Sequence, residues 1–571
     1  MYSSLSGEGQ IRLLKVELDA NGTQVQCELK TFCLKDDPEY IAISYTWGPP
    51  TTQHEATNTS SGTVRCNGYN IEVTQNLYHL LLRISGDESL QPSWYWVDFL
   101  CINQNDNIEK SSQVSLMASI YHSANRVIAW LGEEDSHTKE AIELIEKLAM
   151  LHPDCLRHVR PKNMDSATFR RILGPLSHQR AWNSLGHFWR RTYFSRTWII
   201  QEIALANEVT AMCGGHSIRW AHITMASLFF TVTPWARFKD DSALLYALVK
   251  SRQFLSSDPR DKIYALLGLY SDYAKGKARL LPKYDNFSCI DAYISSAIQI
   301  LEDTDHLLLL AYSEGEDFHN LKGLPSWVPD WSCPKALGLG IVGYRRFQAT
   351  RQQPRVLKID ESIKSLTLRG LRLDTVVEVG EAKEEPRWEA FWRTLVTDTA
   401  ARVNGVAQND TDPPAYIHKV DHPAPNDYGF AFRSWLTHVI DRWKHEPQTG
   451  KKEHFLTEIA RIAAAAETDL ASKLGMSADN GHEPPSADDF ETTMNHSSQT
   501  RLIRTRMNYI GITTTSVRQN DSVWLVLGSR VPLVFREGPD ERFRLVGGAC
   551  IHGVMQGEAM REDCLEDIVV I

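Results

Sequence analysis

The stretch that most constrains the fold is residues 94–132, which has the pattern strand, loop, helix and strand. Residues 94–99 are almost continuously apolar, as is typical of a strand covered on both faces. From residue 109 to 124 the apolar positions recur at helical spacing, and residues 126–131 form a second short apolar run. A helical crossover makes its two strands parallel. The sequence therefore predicts an α/β fold built on a flavodoxin-like parallel sheet with helices on both faces.

A sheet of this kind favours chemistry in the crevice beyond the carboxyl ends of its strands. That rule selects residues 98–104 and 132–134, and also the end of a further predicted strand at residues 40–45. Glycine and proline after this strand stop it and leave the turn backbone open to a ligand. A tight turn with a packed indole is an equally consistent interpretation. The candidates for a ligand-facing lip are Tyr45, Thr46, Trp47 and Gly48.

Length and charge limit the classes of protein. A chain of 571 residues is too long for one compact domain. A formal net charge of −10 disfavours nucleic acid as the main partner. The ten cysteines form no CxxC pair, which favours reduced thiols in a cytoplasmic protein. The N-terminus lacks an apolar core of signal-peptide length, and no run approaches the ~18 apolar residues of a membrane span.

The first 335 residues divide into three predicted regions. Residues 1–37 show strand-like alternation and form an N-terminal β segment. Residues 38–215 form the α/β domain, with a mainly helical insertion at about 136–190. The third region, residues 216–335, is predicted to be helical.

The remainder of the chain is predicted to be a small β domain that is interrupted by a long insertion. Short alternating runs with turn signals at residues 350–380 and 505–571 predict a β-barrel or sandwich. Residues 385–504 between them are predicted to be helical, with a polar, disordered loop at about 475–499.

Three separated blocks resemble the fungal heterokaryon incompatibility (HET) domain and stand in its order. They are YIAISYTWG, WVDFLCINQNDNIEKSSQVSLMASIYHSANRVIAWLG and RTWIIQE, within residues 38–206. Later segments such as SDPRDKIYALLGL and LPSWVPDWS resemble sequences that accompany this domain in large fungal proteins. The resemblance implies a filamentous fungus and a cytosolic role in nonself recognition and programmed cell death.

A weaker resemblance extends to Toll/interleukin receptor (TIR) domains, several of which cleave NAD+. ISYTWG stands where TIR domains have a strand that ends in ISYR. SRTWIIQE matches the TIR pattern Ser-x-x-Trp-Cys-x-x-Glu at Ser195, Trp198 and Glu202, with Ile199 in place of the cysteine. In TIR NAD+ hydrolases this glutamate is catalytic, so the resemblance assigns that role to Glu202. The large insertion before Ser195 departs from the TIR pattern.

Glu202 suits the chemistry of glycosidic cleavage. Breaking the nicotinamide–ribose bond builds positive charge on the ribose, which a fixed carboxylate can stabilise. Nicotinamide leaves as a neutral ring, so the reaction requires no metal or cofactor, and NAD+ is the substrate. Trp198 one turn earlier can stack on a ring, and Ser195 is a plausible helix N-cap. The alternative is that Glu202 only caps its helix or forms a salt bridge with Arg190, Arg191 or Arg196.

Three further side chains are candidates for binding the nucleotide. Asp98 follows a buried strand and can hold a ribose hydroxyl, although a loop-ordering bond to a backbone N–H in CINQN, residues 101–105, is slightly favoured. Glu109 can face the same pocket, or it can simply favour the first turn of its helix. Arg196 can hold a phosphate near a helix start, or form a surface ion pair.

Two functions from different classes remain open. The first is a nonself-recognition effector that binds NAD+ or a related nucleotide and hydrolyses it. The second is a non-enzymatic adaptor whose sheet self-associates and recruits protein partners. An ordinary metabolic enzyme on the same sheet is disfavoured, because the sequence contains no glycine-rich phosphate loop.

Overall fold

The computed structural model describes most of the chain, in two compact units. The described residues are 1–51, 61–87, 90, 94–151, 167–227, 243–270, 280–334, 347–379, 432, 434, 435, 438 and 500–571, without 6, 20, 23 and 363. The N-terminal unit comprises Met1–Leu244 and Gln253–Ser288, and the C-terminal unit comprises Leu245–Arg252 and Cys289–Ile571. Across these described ranges, no helix is long and apolar enough to cross a membrane.

The N-terminal unit is organised around a nine-stranded mixed sheet with the order β5-β4-β2-β1-β6-β3-β7-β8-β9. Its strands are β1 (Gln10–Leu18), β2 (Val25–Cys33), β3 (Tyr40–Tyr45), β4 (Ser61–Cys66), β5 (Tyr69–Thr74), β6 (Trp94–Trp96), β7 (Arg126–Trp130), β8 (Val209–Cys213) and β9 (His216–Arg219).

The predicted parallel pairing is confirmed at the centre of this sheet. Strands β6, β3, β7 and β8 run parallel, and β3 pairs from Ile41 to Tyr45 with β7. All six residues of β3 are buried, which fits a strand covered on both faces. On the flanks, β1 pairs antiparallel with β6 and β9 pairs antiparallel with β8. The fully parallel prediction was therefore wrong at both edges, where hairpin partners extend the sheet.

The N-terminal β segment is part of this sheet. Strands β1 and β2 form a nine-residue antiparallel ladder, and β1 also pairs with β6 through Leu14 and Tyr95. A hairpin of β4 and β5 pairs with β2. This hairpin was not predicted from the sequence.

The helices of the N-terminal unit connect and cover these strands. They are α1 (Gln75–Ser85), α2 (Asp98–Cys101), α3 (Asn107–Ser123), α4 (Thr138–Ala149), α5 (Ala167–Leu173), α6 (Gln179–Trp189), α7 (Ile199–Ala204), α8 (Trp220–Ser227) and α10 (Asp261–Tyr270). Helix α9 (Ala243–Ser251) precedes α10 in the chain, and most of its residues belong to the C-terminal unit.

The central βαβ unit is confirmed, with one local correction. Strand β6 ends at Trp96 and not at residue 99, because the backbone turns at once into the short helix α2. The amide of Cys101 donates to the carbonyl of Val97 at 2.8 Å, which closes this turn. Asp106 caps α3 by accepting from the amides of Ile108 and Glu109. The turn places Asp98 at the carboxyl end of β6.

The C-terminal unit contains the predicted β region and the helix α11 (Cys289–Asp303). Pairings β11–β14, β14–β15, β15–β16, β16–β18 and β18–β11 close a ring of strands. The nine strands are β10 (Leu357–Asp360), β11 (Ser365–Val379), β12 (Thr500–Thr505), β13 (Ile510–Thr514), β14 (Ser522–Val526), β15 (Leu533–Glu537), β16 (Arg542–Gly548), β17 (Cys550–Ile551) and β18 (Leu565–Val570). Strand β12 starts before residue 505, where the β region was predicted to resume.

A buried ion pair lies in the C-terminal unit. Arg252 and Glu314 are 1% and 0% exposed, and their side chains approach to 2.6 Å. The same guanidinium donates to the carbonyls of Cys333 at 3.1 Å and Asp330 at 3.3 Å. The carboxylate of Asp330 accepts from the amides of Asn320 and Leu321. The LPSWVPDWS segment is thereby fixed by buried charged side chains.

Two predicted features fall largely outside the described residues. These are the disordered loop at about 475–499 and most of the helical insertion at 385–504. Part of the insertion at 136–190, residues 152–166, also lies outside them; around it α4, α5 and α6 are helical as predicted.

Candidate functional site

A cluster of polar side chains lies where β3, β6 and the segment before α7 meet. Strand β3 contributes Ser44 and Tyr45, the start of α2 contributes Asp98, and residues 193–202 contribute three more. The cluster forms here because β3 and β6 are parallel neighbours whose carboxyl ends lie at the same edge of the sheet. We call it the Glu202 cluster; its members are Ser44, Tyr45, Asp98, Tyr193, Arg196 and Glu202.

Glu202 lies at the inner end of the cluster. Its side chain is 2% exposed, and its Oε2 accepts a short hydrogen bond from the Ser44 hydroxyl. Burial raises the pKa of Glu202 to about 6, although Arg196 and the Ser44 hydrogen bond oppose the shift. At neutral pH the carboxylate is mostly ionised, and it is destabilised relative to a carboxylate in water.

The Ser44–Tyr193 pair orients the Glu202 carboxylate through hydrogen bonds. The two hydroxyl oxygens are 2.6 Å apart, and both side chains are buried. An ionised carboxylate only accepts hydrogen bonds, so Ser44 donates to Glu202 and Tyr193 donates to Ser44. This chain of bonds orients one carboxylate oxygen.

Arg196 is the only cation that bridges the two carboxylates of the described cluster. Its Nη1 lies 3.7 Å from Oε2 of Glu202, and its side chain is 17% exposed. This nitrogen is buried and has no hydrogen-bond partner among the residues that the structure describes. Burial lowers the pKa of Arg196, but Glu202 and Asp98 together outweigh that effect. Arg196 therefore retains an unused donor that points into the cluster.

Asp98 and Trp47 form the outer part of the site. The indole Nε1 of Trp47 donates to Oδ2 of half-buried Asp98 at 2.8 Å, and the amide of Phe99 donates to its Oδ1 at 2.7 Å. Burial raises the pKa of Asp98, and the Arg196 charge opposes that shift. The Trp47 ring meets Phe99 edge to face at 5.4 Å and is 38% exposed. The hydrogen bond predicted from a backbone N–H of CINQN, residues 101–105, is thus replaced by one from Phe99.

The rest of the predicted lip continues β3 in different environments. Within the described ranges, the buried hydroxyl of Thr46 has no hydrogen-bond partner, whereas the Tyr45 side chain interacts with Asp98. Burial raises the pKa of Tyr45 well above its usual value, and Asp98 adds to this. The carbonyl of Thr46 accepts from Asn76 at 2.7 Å. Gly48 is exposed, and no atom lies within 4 Å of where its Cβ would be.

Ser195 does not cap the helix of Glu202, so that prediction was wrong. Residues Thr192–Ser195 form a 3-10 turn, and the Ser195 hydroxyl donates to the carbonyl of Thr192. Helix α7 begins after Trp198. The amide of Thr197 donates to the carbonyl of Leu255, outside this helix. The intervening bend allows Arg196 to face Glu202.

Two candidates for nucleotide binding are engaged elsewhere. The Trp198 indole donates to Asp261 at 3.1 Å, and Asp261 also accepts from Tyr284 at 2.6 Å. Glu109 pairs through both oxygens with Arg12, at 2.6 and 2.8 Å. Its Oε1 also accepts from the amide of Asn103. These contacts fasten helices and loops, and neither side chain hydrogen-bonds to a member of the Glu202 cluster.

Ser44 and Tyr193 are the members that the sequence analysis missed. A signal existed for Ser44, because it is the only hydroxyl-bearing aliphatic side chain within the apolar run YIAISY. Tyr193 lies 149 residues away, and nothing in its local sequence connects it with that strand.

The described residues contain no group of three or more histidine, cysteine or acidic side chains that could hold a metal ion. The cluster offers instead one oriented carboxylate, one unused guanidinium donor and an aromatic pair at its outer edge. This set can bind an anionic group and a planar ring, and can stabilise a positive charge on a sugar.

Comparisons with known proteins match both halves of the chain. The model of the heterokaryon incompatibility protein (HET) family matches residues 40–202, from the first residue of β3 to Glu202. The model of the Het-6 beta-barrel domain matches residues 426–571. The chain is 23% identical to "Heterokaryon incompatibility protein 6, OR allele" of Neurospora crassa, over 94% of this chain and 93% of that protein. No solved structure matches.

Proposed function

This chain carries a heterokaryon incompatibility (HET) domain and a Het-6 beta-barrel domain, and from that premise we propose that it is a fungal nonself-recognition effector that triggers cell death by hydrolysing NAD+. The observation that carries the enzymatic part is the Glu202 carboxylate. It is buried at the carboxyl end of β3, it has a raised pKa, and it lies beside an arginine with an unused donor. Perturbed carboxylates of this kind concentrate at functional sites.

The proposed reaction is cleavage of the nicotinamide–ribose bond by water. As that bond breaks, its electron pair leaves with nicotinamide and positive charge grows on the ribose. Glu202 stabilises this charge and accepts a hydrogen bond from a ribose hydroxyl. Water adds to the ribose carbon and loses a proton, which yields ADP-ribose. Arg196 binds the diphosphate, and Asp98 and Trp47 contact the nucleotide from the outer side.

The protonation state of Glu202 sets the pH dependence. Only the ionised carboxylate stabilises positive charge, and its pKa is about 6. We therefore expect the rate of nicotinamide release to rise as the pH is increased through 6 and to level off above 7.

The direct test is nicotinamide release from NAD+ by the concentrated or crowded full-length protein. We expect release by the natural chain and a loss of about 100-fold or more in Glu202→Gln, in the range seen when one transition-state contact is removed. Glu208→Gln is the matched control, because Glu208 is exposed just beyond α7. Equal background release by all three proteins would overturn the enzymatic proposal.

A non-enzymatic adaptor is the second candidate, and one observation favours it. The 2% exposure of Glu202 is also what a purely structural carboxylate would show. An adaptor kills by recruiting partners through self-association, so Glu202→Gln should still kill hyphae when expressed at the natural level. An enzyme should lose killing in the same variant.

A further inference from the structure

Trp47 is the most exposed of three side chains in the site whose exposure decreases towards Glu202. Exposure falls from 38% at Trp47 to 17% at Arg196 and 2% at Glu202. Asp98 connects the two ends, because it accepts the Trp47 hydrogen bond and faces the charge of Arg196. In this conformation Glu202 is closed to a substrate, so any ligand needs a movable element at the outer edge.

The backbone on each side of Trp47 is anchored. Before it, the carbonyl of Thr46 accepts from Asn76 at 2.7 Å. After it, the carbonyl of Pro49 accepts from the Thr192 hydroxyl at 2.7 Å, and that of Pro50 accepts from the Thr192 amide at 3.0 Å. Only Trp47 and Gly48 lie between these anchors.

The Trp47 indole itself is held lightly. Among the described residues it has one hydrogen bond, to Asp98, and one edge-to-face contact, with Phe99. Gly48, the next residue, has no atom of the described residues within 4 Å of where its Cβ would be, and its backbone is free of the restriction that a Cβ imposes. The indole can therefore leave Asp98 by rotations within two residues, without disturbing β3 or the proline segment.

We propose that Trp47 is a lid, latched to Asp98 by its indole N–H, and that release of this latch opens the path to Arg196 and Glu202. The inference rests on the proposed function, since Glu202 is the group that the lid guards. Once released, the indole presents its face to a planar ring, and the Asp98 carboxylate becomes available to a hydroxyl group of the ligand.

The test uses a thiol reporter and no NAD+, so it does not depend on catalysis. Ser44→Cys introduces a thiol at a position that is 1% exposed, beside Glu202. Its alkylation by iodoacetamide is followed by peptide mass spectrometry in the natural Trp47 background and in Trp47→Phe and Trp47→Ala. If Ser44→Cys does not fold, Glu202→Cys serves as the reporter.

We expect faster labelling of the introduced thiol in both lid variants. Trp47→Phe keeps a ring but loses a hydrogen bond to a charged group, which corresponds to an increase of about 10- to 100-fold. Trp47→Ala should increase labelling at least as much. Gly48→Ala should slow labelling about twofold to fivefold, because it restricts the hinge. Gly186→Ala in α6, also in open space, should leave the rate unchanged.

Cys101 provides an internal control, because it is fully buried behind Asp98. Unchanged labelling of Cys101 beside faster labelling of the reporter supports a lid. Equal acceleration at both thiols would mean local unfolding, and an unchanged reporter rate in both Trp47 variants would mean that the indole closes nothing; either overturns the inference. Failure of nicotinamide release with these labelling results as expected would instead count against the proposed function.

Discussion

Each unit of the molecule contains a buried arginine–glutamate pair, and Arg252–Glu314 of the C-terminal unit differs from Arg196–Glu202 of the N-terminal unit. Arg252 and Glu314 approach to 2.6 Å, and the arginine is also bonded to two carbonyls. Arg196 and Glu202 remain 3.7 Å apart, which is too long for a direct hydrogen bond. The first pair has the geometry of a structural brace; the second has capacity left for a ligand.

The difference shows how the surroundings of a buried ion pair can indicate a functional site. A buried charge is costly unless it is paired and hydrogen-bonded, so a complete pair is what folding alone favours. An incomplete pair with a raised carboxylate pKa persists only where the surrounding structure holds it in place. Here β3, Ser44 and the bend before α7 provide that restraint.

The largest expected effect is at the brace. Arg252→Met leaves Glu314 as an uncompensated buried charge, which should lower the free energy of unfolding of the C-terminal unit by about 3–5 kcal/mol. Urea-dependent hydrogen exchange of the peptide that covers β14 measures this loss. Arg518→Met is the control, because the Arg518–Glu316 pair is mostly exposed and should matter by no more than about 1 kcal/mol. Equal effects in both variants would remove the contrast.

The second largest expected effect is a gain in stability, in Glu202→Gln. The folded-state pKa of Glu202 is about 6, above its ordinary value of 4.5, so the folded state is penalised when the group is ionised. Glu202→Gln should therefore stabilise the N-terminal unit by about 2 kcal/mol at pH 8. The gain should shrink as the pH falls through 6 and disappear below about 4.5. Exchange of the β3 peptide against pH would show the trend, and a pH-independent loss would contradict it.

A smaller effect is expected from the residues that orient Glu202. Ser44→Ala removes the bond to Glu202 and leaves the Tyr193 hydroxyl without its acceptor, at a cost of about 1–2 kcal/mol at pH 8. Loss of that donor should also raise the pKa of Glu202 further, so the rise of nicotinamide release with pH should move to higher pH. A Ser44→Ala profile that superimposes on the natural one would mean that Ser44 does not orient the carboxylate.

The smallest effect is expected at Trp198, a predicted site residue whose hydrogen bond has a structural role. Trp198→Phe loses one hydrogen bond to Asp261 and should cost about 1 kcal/mol of stability. Since Trp198 bonds outside the Glu202 cluster, the rate of nicotinamide release per folded molecule should stay near that of the natural chain. A large loss of rate at unchanged stability would place Trp198 in the site after all.

The sequence was most informative where local pattern and topology act together. Apolar runs and helical spacing predicted β3, α3 and β7, and the rule for parallel sheets placed the ends of β3 and β6 at one edge. This is why Asp98 and the end of β3 could be related to each other from the sequence alone. The TIR-like motif then directed attention to Glu202.

Long-range pairing explains what could not be predicted. The antiparallel partners of the central strands depend on contacts such as Leu14 with Tyr95, which no local pattern encodes. Glu109 was expected to face a ligand, but Arg12 lies 97 residues earlier and takes both of its oxygens. A first-turn glutamate has the same local sequence in either case, so only the tertiary fold distinguishes a ligand contact from a brace.

The most direct test measures stability and nicotinamide release in the same preparation of Glu202→Gln at pH 8. The account predicts a protein that unfolds at higher urea concentration than the natural chain and releases no nicotinamide above background. A variant that unfolds at lower urea concentration and still releases nicotinamide at the natural rate would make Glu202 a second brace, like Glu314, and would contradict the account.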